Sequence, residues 1–141
     1  MHNTRVESGE MVHVVDAGGV VLRKGAEVLT GAIVQKSYFC GYTEVGEYAK
    51  VSNQTIIGHG SKIGNRTLIA GNCTVAGFNT IGCDVWIGPN SVLGHGLSVA
   101  NEASVKMGSV VVKNVGVGEE VSGNFAYSHP KRLKNHARNT R

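Results

Sequence analysis

The sequence predicts an all-β chain wound as a parallel β-helix of short strands, and three observations carry that prediction. Stepping by six from Val45 gives Val51, Ile57, Ile63, Ile69, Val75, Ile81, Ile87, Leu93, Val99, Val105, Val111 and Val117, with no aliphatic position missed. Two places before these anchors stand mostly small residues, such as Thr43, Ala49, Thr55, Ser61, Thr67, Cys73, Ser91, Ala103 and Ser109. Directly after them Gly or Ala recurs, as at Gly46, Gly58, Gly64, Ala70, Ala76, Gly82 and Gly88. An amphipathic helix needs apolar residues at spacings of three and four, and a lone strand needs alternation, so neither template fits. A beat of six with β-branched anchors is the pattern of hexapeptide coils.

In such a coil the aliphatic residue of each strand points inward, the small residue fits the crowded corner, and Gly or Ala lets the chain bend. Three hexapeptides close a triangular turn of eighteen residues. Residues 15–118 then form the β-helix domain of about six coils, residues 1–14 an irregular lead-in, and residues 119–141 a turn followed by a basic C-terminal helix or tail. Between Val15 and Phe39 the beat is looser. Val15, Val21, Ile33 and Phe39 keep the phase, and Glu27 breaks it beside Val28, which points to a distorted corner or inserted loop near residues 24–30. After Val117 the beat stops. Pro130 bars a helix from arriving from upstream, and Lys131 to about Arg138 favours a short one.

Composition agrees with a solenoid. The 141 residues hold 20 Gly, 2 Pro and few aromatics, and they suit one domain. No apolar run is long enough to span a bilayer, and the opening MHNTRVESGE is too polar for a signal peptide, so a cytoplasmic protein without an integral membrane segment is expected. Cys40, Cys73 and Cys83 are odd in number and lack zinc spacing, which suits reduced structural thiols. The net charge of +4 gathers in the ending HPKRLKNHARNTR, which has no acid. That ending reads as a solvated tail or as a surface for an acidic partner. Nucleic acid is disfavoured, because no aromatic residues interleave with the charges.

The register also places chemistry. His59 and His95 are thirty-six residues apart, two coils of eighteen, so both fall in the corner column Arg23, Gly41, His59, Gly77, His95, Lys113. With coils spaced like neighbouring strands, the histidines would stand about 9–10 Å apart across Gly77. Ligand bonds of about 2 Å rule out a shared metal ion at that separation, and no metal site is expected. A groove over Gly77 with a histidine on each side remains, although a corner histidine can also be only a solvated polar residue.

The run SNQTIIGHGSKIGNRTLIAGNCTVAGFNTIGCDVWIGPNSVLGHG resembles the hexapeptide-repeat acyltransferases, and among them the UDP-3-O-acylglucosamine N-acyltransferases of lipid A (lipopolysaccharide) biosynthesis. The resemblance implies a left-handed coil, a homotrimer, and acyl transfer from the phosphopantetheine thioester of acyl carrier protein to the amine of a nucleotide-linked amino sugar. In the family a His in an I-[GA]-H context is the general base and matches His59, and a glycine one coil on supplies an oxyanion-hole N–H and matches Gly77. A second histidine is usual two coils on; His95 falls about one residue from it. Lys113 matches a basic residue that holds the donor's phosphopantetheine. Asn53 and Trp86 complete the expected substrate- and donor-binding set, Trp86 as a wall of the acyl groove or as an outward ring at a subunit contact. The ending SGNFAYSHPKRLKNHAR resembles a turn and basic helix that meet acyl carrier protein, with Phe125 where the family has Pro.

These residue types suit the chemistry. A neutral imidazole can take the amine's proton as it attacks, and a preset N–H can receive the oxyanion. No resident cofactor is expected, only the carrier-protein thioester or acetyl-CoA as co-substrate. Against the resembling enzymes two departures are expected: residues 1–14 show no trace of a uridine-binding domain, and the long C-terminal helical extension is missing or cut short. The alternative is an acetyl-CoA-dependent sugar N- or O-acetyltransferase of the same fold, although many of those follow the histidine with an acid, and Gly60 stands there. A zinc enzyme of the γ-carbonic anhydrase type wants a close His pair on adjacent corners, and an ice-binding solenoid wants an outward Thr face. Neither pattern is present. Acyl length and acceptor are not written in the sequence.

Overall fold

The computed structural model describes residues 2–5, 9, 11–14, 17–38, 40–123, 128–131 and 138. An antiparallel pair, β1 (His2–Arg5) with β2 (Met11–Val14), replaces the irregular lead-in expected there. Five coils of three parallel strands follow. They are β3 (Gly19–Leu22), β4 (Glu27–Val28) and β5 (Ile33–Val34); β6 (Tyr42–Val45), β7 (Lys50–Val51) and β8 (Ile56–Ile57); β9 (Lys62–Ile63), β10 (Leu68–Ile69) and β11 (Thr74–Val75); β12 (Thr80–Ile81), β13 (Trp86–Ile87) and β14 (Val92–Leu93); and β15 (Ser98–Val99), β16 (Ser104–Val105) and β17 (Val110–Val111). A last strand, β18 (Glu120–Val121), adds to the second face.

The chain is thus an all-β parallel solenoid whose three faces are five, six and five strands deep. The strictly regular beat from Val45 onward winds only about four turns, fewer than the six coils the sequence suggests, because the chain leaves the eighteen-residue register at both ends.

Inside, the anchors behave as their spacing demands. Val45, Val51, Ile57, Ile69, Val75, Ile87, Leu93 and Val105 are fully buried in one continuous core. The small corner residues are buried too, and their hydroxyls satisfy corner backbone that would otherwise be orphaned. Thr67 Oγ1 donates to the Gly82 carbonyl at 2.7 Å and accepts from the Val85 N–H at 3.1 Å, and Ser61 and Thr55 make the same pair of bonds one and two corners earlier. Cys73 fills one such slot; burial pushes its thiol up, and Sγ lies 3.2 Å from the Gly88 carbonyl, which suits an inert structural thiol.

At the N-terminal end the phase differs from that expected. Val34 pairs with Ile57 and Val28 with Val51, twenty-three residues on instead of eighteen. Leu22, Val28 and Val34 therefore carry the beat. Val28 and Val34 pack on the core, and Leu22 stands 52% exposed on the terminal coil. Ile33 points outward, and so does Glu27, which pairs with Lys50 at 2.9 Å rather than breaking a coil. The five additional residues lie in the connection between Val34 and Tyr42, not near residues 24–30. Val15 and Phe39 lie outside the described residues.

A second slip comes after Val111. Val115 bridges to Val99 and Val121 pairs with Val105, sixteen residues away, so the last corner is two residues shorter. Val115 is buried in the place expected for Val117, which is 74% exposed. Among the tail residues, His129, Pro130, Lys131 and Arg138 are helical, and Phe125 lies outside the described residues.

Candidate functional site

The corner between the third face and the next coil's first face gathers the polar and aromatic groups. The eighteen-residue register holds here, so His59, Gly77 and His95 stack coil on coil as their spacing predicts. Arg23 and Gly41 leave that column. The longer first connection puts Lys36 in it, and Arg23 instead donates from Nε to Glu44 at 2.6 Å on the first face. That bond, with the positive charge beside it, holds the Glu44 carboxyl below its usual range.

The His59 imidazole lies over Gly77. A Cβ built on Gly77 would stand 2.5 Å from His59 Cε1, so only glycine leaves the ring its place. The Gly77 carbonyl accepts from the Gly96 N–H at 3.0 Å, while its own N–H has no hydrogen-bond partner among the described residues. One coil earlier the equivalent N–H, that of His59, is taken by the Gln35 side-chain oxygen at 3.3 Å. The site thus holds a half-buried imidazole beside an uncommitted backbone donor.

The two histidines are nearer than strand spacing predicts. Their ring centroids are 6.0 Å apart, because the His59 side chain leans over Gly77 rather than standing straight out. Phe78 lies edge-on to both, 5.0 Å from the His59 ring and 5.5 Å from that of His95. Tyr38 stacks on His59 at 4.0 Å with 23° between the planes. The corner therefore gathers aromatic rings as well as histidines. Phe78 takes a left-handed φ of 56° at a corner where the coils on either side have Gly60 and Gly96. That substitution in a glycine column is a readable signal. Tyr38 and Gln35 had none, since their approach depends on the inserted residues.

Lys113 stays in the column, exposed, at the rim of a cavity of about 290 Å³ that the shortened last corner leaves between Val110, Val115 and Val121. Asn53 and Trp86 are not brought to this corner. Asn53 lies at the corner between the second and third faces, where its carbonyl accepts from the Asn72 N–H at 3.0 Å. Trp86 stands 43% exposed on the second face, opposite the histidines. Among the described residues no three His, Cys, Asp or Glu side chains meet to hold a metal ion, and no helix is long and apolar enough to cross a membrane.

No family model matches the chain. By sequence it is 28% identical over 111 residues, 79% of its length, to a UDP-3-O-acylglucosamine N-acyltransferase of Bordetella parapertussis, and it spans only 30% of that relative. By fold it superposes on the Arabidopsis UDP-N-acetylglucosamine acyltransferase with a TM-score of 0.71 at 20% identity, over 86% of this chain and 43% of that one. The acetyltransferase domain of PglB from Neisseria gonorrhoeae gives 0.68 at 20% identity, over 81% and 53%. The chain is thus a solenoid of hexapeptide coils that is similar in sequence to UDP-3-O-acylglucosamine N-acyltransferases and similar in fold to the solenoids of solved acyltransferases.

Proposed function

We propose that this chain is the solenoid of an acyltransferase that moves an acyl group from the thioester of acyl carrier protein to the amine of a nucleotide-linked amino sugar. The observation that carries the reading is the His59 imidazole lying over Gly77, whose N–H is uncommitted. A base and an oxyanion donor one coil apart are what attack on a thioester carbonyl requires. As the C–N bond forms, His59 takes the amine proton. The negative charge on the carbonyl oxygen is received by the Gly77 N–H, and the thiolate leaves as the intermediate collapses. No covalent bond to the protein is needed.

Around that centre His95 and Phe78 line the acceptor side. Lys113, farther along the column, meets the donor's phosphate as an exposed cation. The basic ending supplies the surface for an acidic carrier protein, and the reading carries a cytoplasmic location with it. Assembly as a homotrimer is supported by the third face, where Ile33, Ile56, Val92 and Val110 are exposed in one row beside the histidine corner. Asn53 and Trp86 enter the proposal only as residues contributed by a neighbouring copy.

Native mass spectrometry tests the reading, with the protein titrated in parallel with acetyl-CoA and with a hydroxyacyl carrier protein, and wild type compared with Lys113→Ala. A trimer that takes the carrier protein, and takes it more weakly in the variant, supports the proposal. Binding of acetyl-CoA alone moves the reading to an acetyl-CoA-dependent sugar acetyltransferase. A trimer that binds neither removes the enzyme reading and leaves the fold standing.

A further inference from the structure

The five residues inserted between Val34 and Tyr42 build a bracket against the column that follows. Its base is fixed to the first strand: the Ser37 N–H donates to the Gly19 carbonyl at 3.2 Å, and the Gly19 N–H to the Gly41 carbonyl at 2.9 Å. Ser37 itself is buried, and it packs so closely on Gly18 that a Cβ there would overlap the Ser37 carbonyl. From this base two groups reach the same target. Gln35 accepts from the His59 N–H, and the Tyr38 ring stacks on the imidazole. One holds the backbone of His59 and the other its side chain.

We propose that Tyr38 is a positioning residue, a clamp that keeps the His59 ring in the single orientation across Gly77. The Tyr38 ring stacked on the imidazole and the Phe78 ring set perpendicular to it restrict rotation about the side-chain bonds of His59, and a base held in its productive geometry gains rate. The proposal rests on the reading of His59 as the base, but the clamp itself can be measured without activity.

The experiment uses the full chain labelled with ¹³Cε1-histidine, the His59 signal assigned by its loss in His59→Gln. Tyr38→Phe keeps the ring and Tyr38→Leu removes it. Gly18→Ala displaces the bracket from a distance, and a circular dichroism spectrum and melting temperature like those of wild type show that the fold is intact. The expected result is an upfield ring-current displacement of the His59 proton in wild type and Tyr38→Phe, lost in Tyr38→Leu and Gly18→Ala. In those last two kcat falls about tenfold with KM little changed. An unmoved His59 signal in Tyr38→Leu overturns the proposal, and so does a moved signal with kcat intact. A wild type that transfers no acyl group sinks the functional reading instead, and the His59 signal alone then decides the clamp.

Discussion

His59 and Gly77 occupy each other's space: the ring of one covers the position where a side chain on the other would begin. Gly77 has no left-handed φ, so alanine fits its backbone, and only the imidazole, a movable group, must give way. Gly77→Ala is therefore expected to fold with a melting temperature near that of wild type while driving His59 out of place. Acyl transfer should fall about ten- to a hundredfold. Thermal melts beside initial rates check this, and full activity in Gly77→Ala would remove His59 from the chemistry.

The corner hydroxyls give a prediction about stability. Thr67 is fully buried and bonds both the Gly82 carbonyl and the Val85 N–H. Valine has the same shape without those bonds, so Thr67→Val leaves the buried Val85 N–H and the half-buried Gly82 carbonyl unpaired and should cost about 1–3 kcal/mol. Thr74 is half-buried and faces outward, and Thr74→Val should stay within about 0.5 kcal/mol of wild type. Urea unfolding of the two variants side by side separates a hydrogen-bonding role from mere smallness.

Much of this architecture was legible because one phase is aliphatic without a miss from Val45 to Val111, whereas every other phase is interrupted by polar residues or glycine. The N-terminal coil was misread for a physical reason. In VVLRKGAEVLTGAIV two phases one residue apart are both largely aliphatic, Val21 and Ile33 in one, Leu22, Val28 and Val34 in the other. Glu27 was the discriminator. A carboxylate cannot face the core unpaired, so the phase containing it is the outward one, and no corner distortion is needed. At the other end Val115 and Val117 are equivalent to any hydropathy pattern, and only the two-residue shortening of the corner chooses between them. The histidine column was readable because it lies where the register never slips. Tyr38 joins it by way of an insertion whose length the beat conceals.

Between the first and second faces, Arg66 clasps Asp84 one coil on with two charge-assisted bonds, 2.7 Å from Nε and 2.5 Å from a terminal nitrogen. The hydrogen bond first, and the positive charge second, hold the Asp84 carboxyl below its usual range. A carboxylate whose native pKa is depressed stabilises the fold above its unfolded value, about 4, and loses that contribution as pH falls through the lower native value. Both side chains are exposed, so the effect is small and screened by salt. Arg66→Ala should melt slightly below wild type at pH 7, with the gap closing as pH falls below about 4 and again in about 1 M salt. A gap that persists under both conditions would assign the role of Arg66 to its alkyl stem instead.

On the third face Ile33, Ile56, Val92 and Val110 form an exposed row broken only by the half-buried Thr74, whereas the first face carries the charged chain Arg23, Glu44 and Lys62. A contiguous row of apolar residues on an open sheet face marks a surface for another chain, and its place beside the histidine corner fits a second copy of this one. Val92 sits mid-row, on the strand next to Thr74. A lysine there keeps the inward residue Leu93 and the backbone ladder untouched, so the coil itself should survive. Burying that charge at a subunit contact is another matter, because an unpaired ammonium loses its water. On the proposed homotrimer, Val92→Lys should therefore shift assembly towards monomer in light scattering while its circular dichroism stays that of the wild type, whereas Thr80→Lys on the first face should leave assembly unchanged. A Val92→Lys protein that remains trimeric would move the subunit contact to another face.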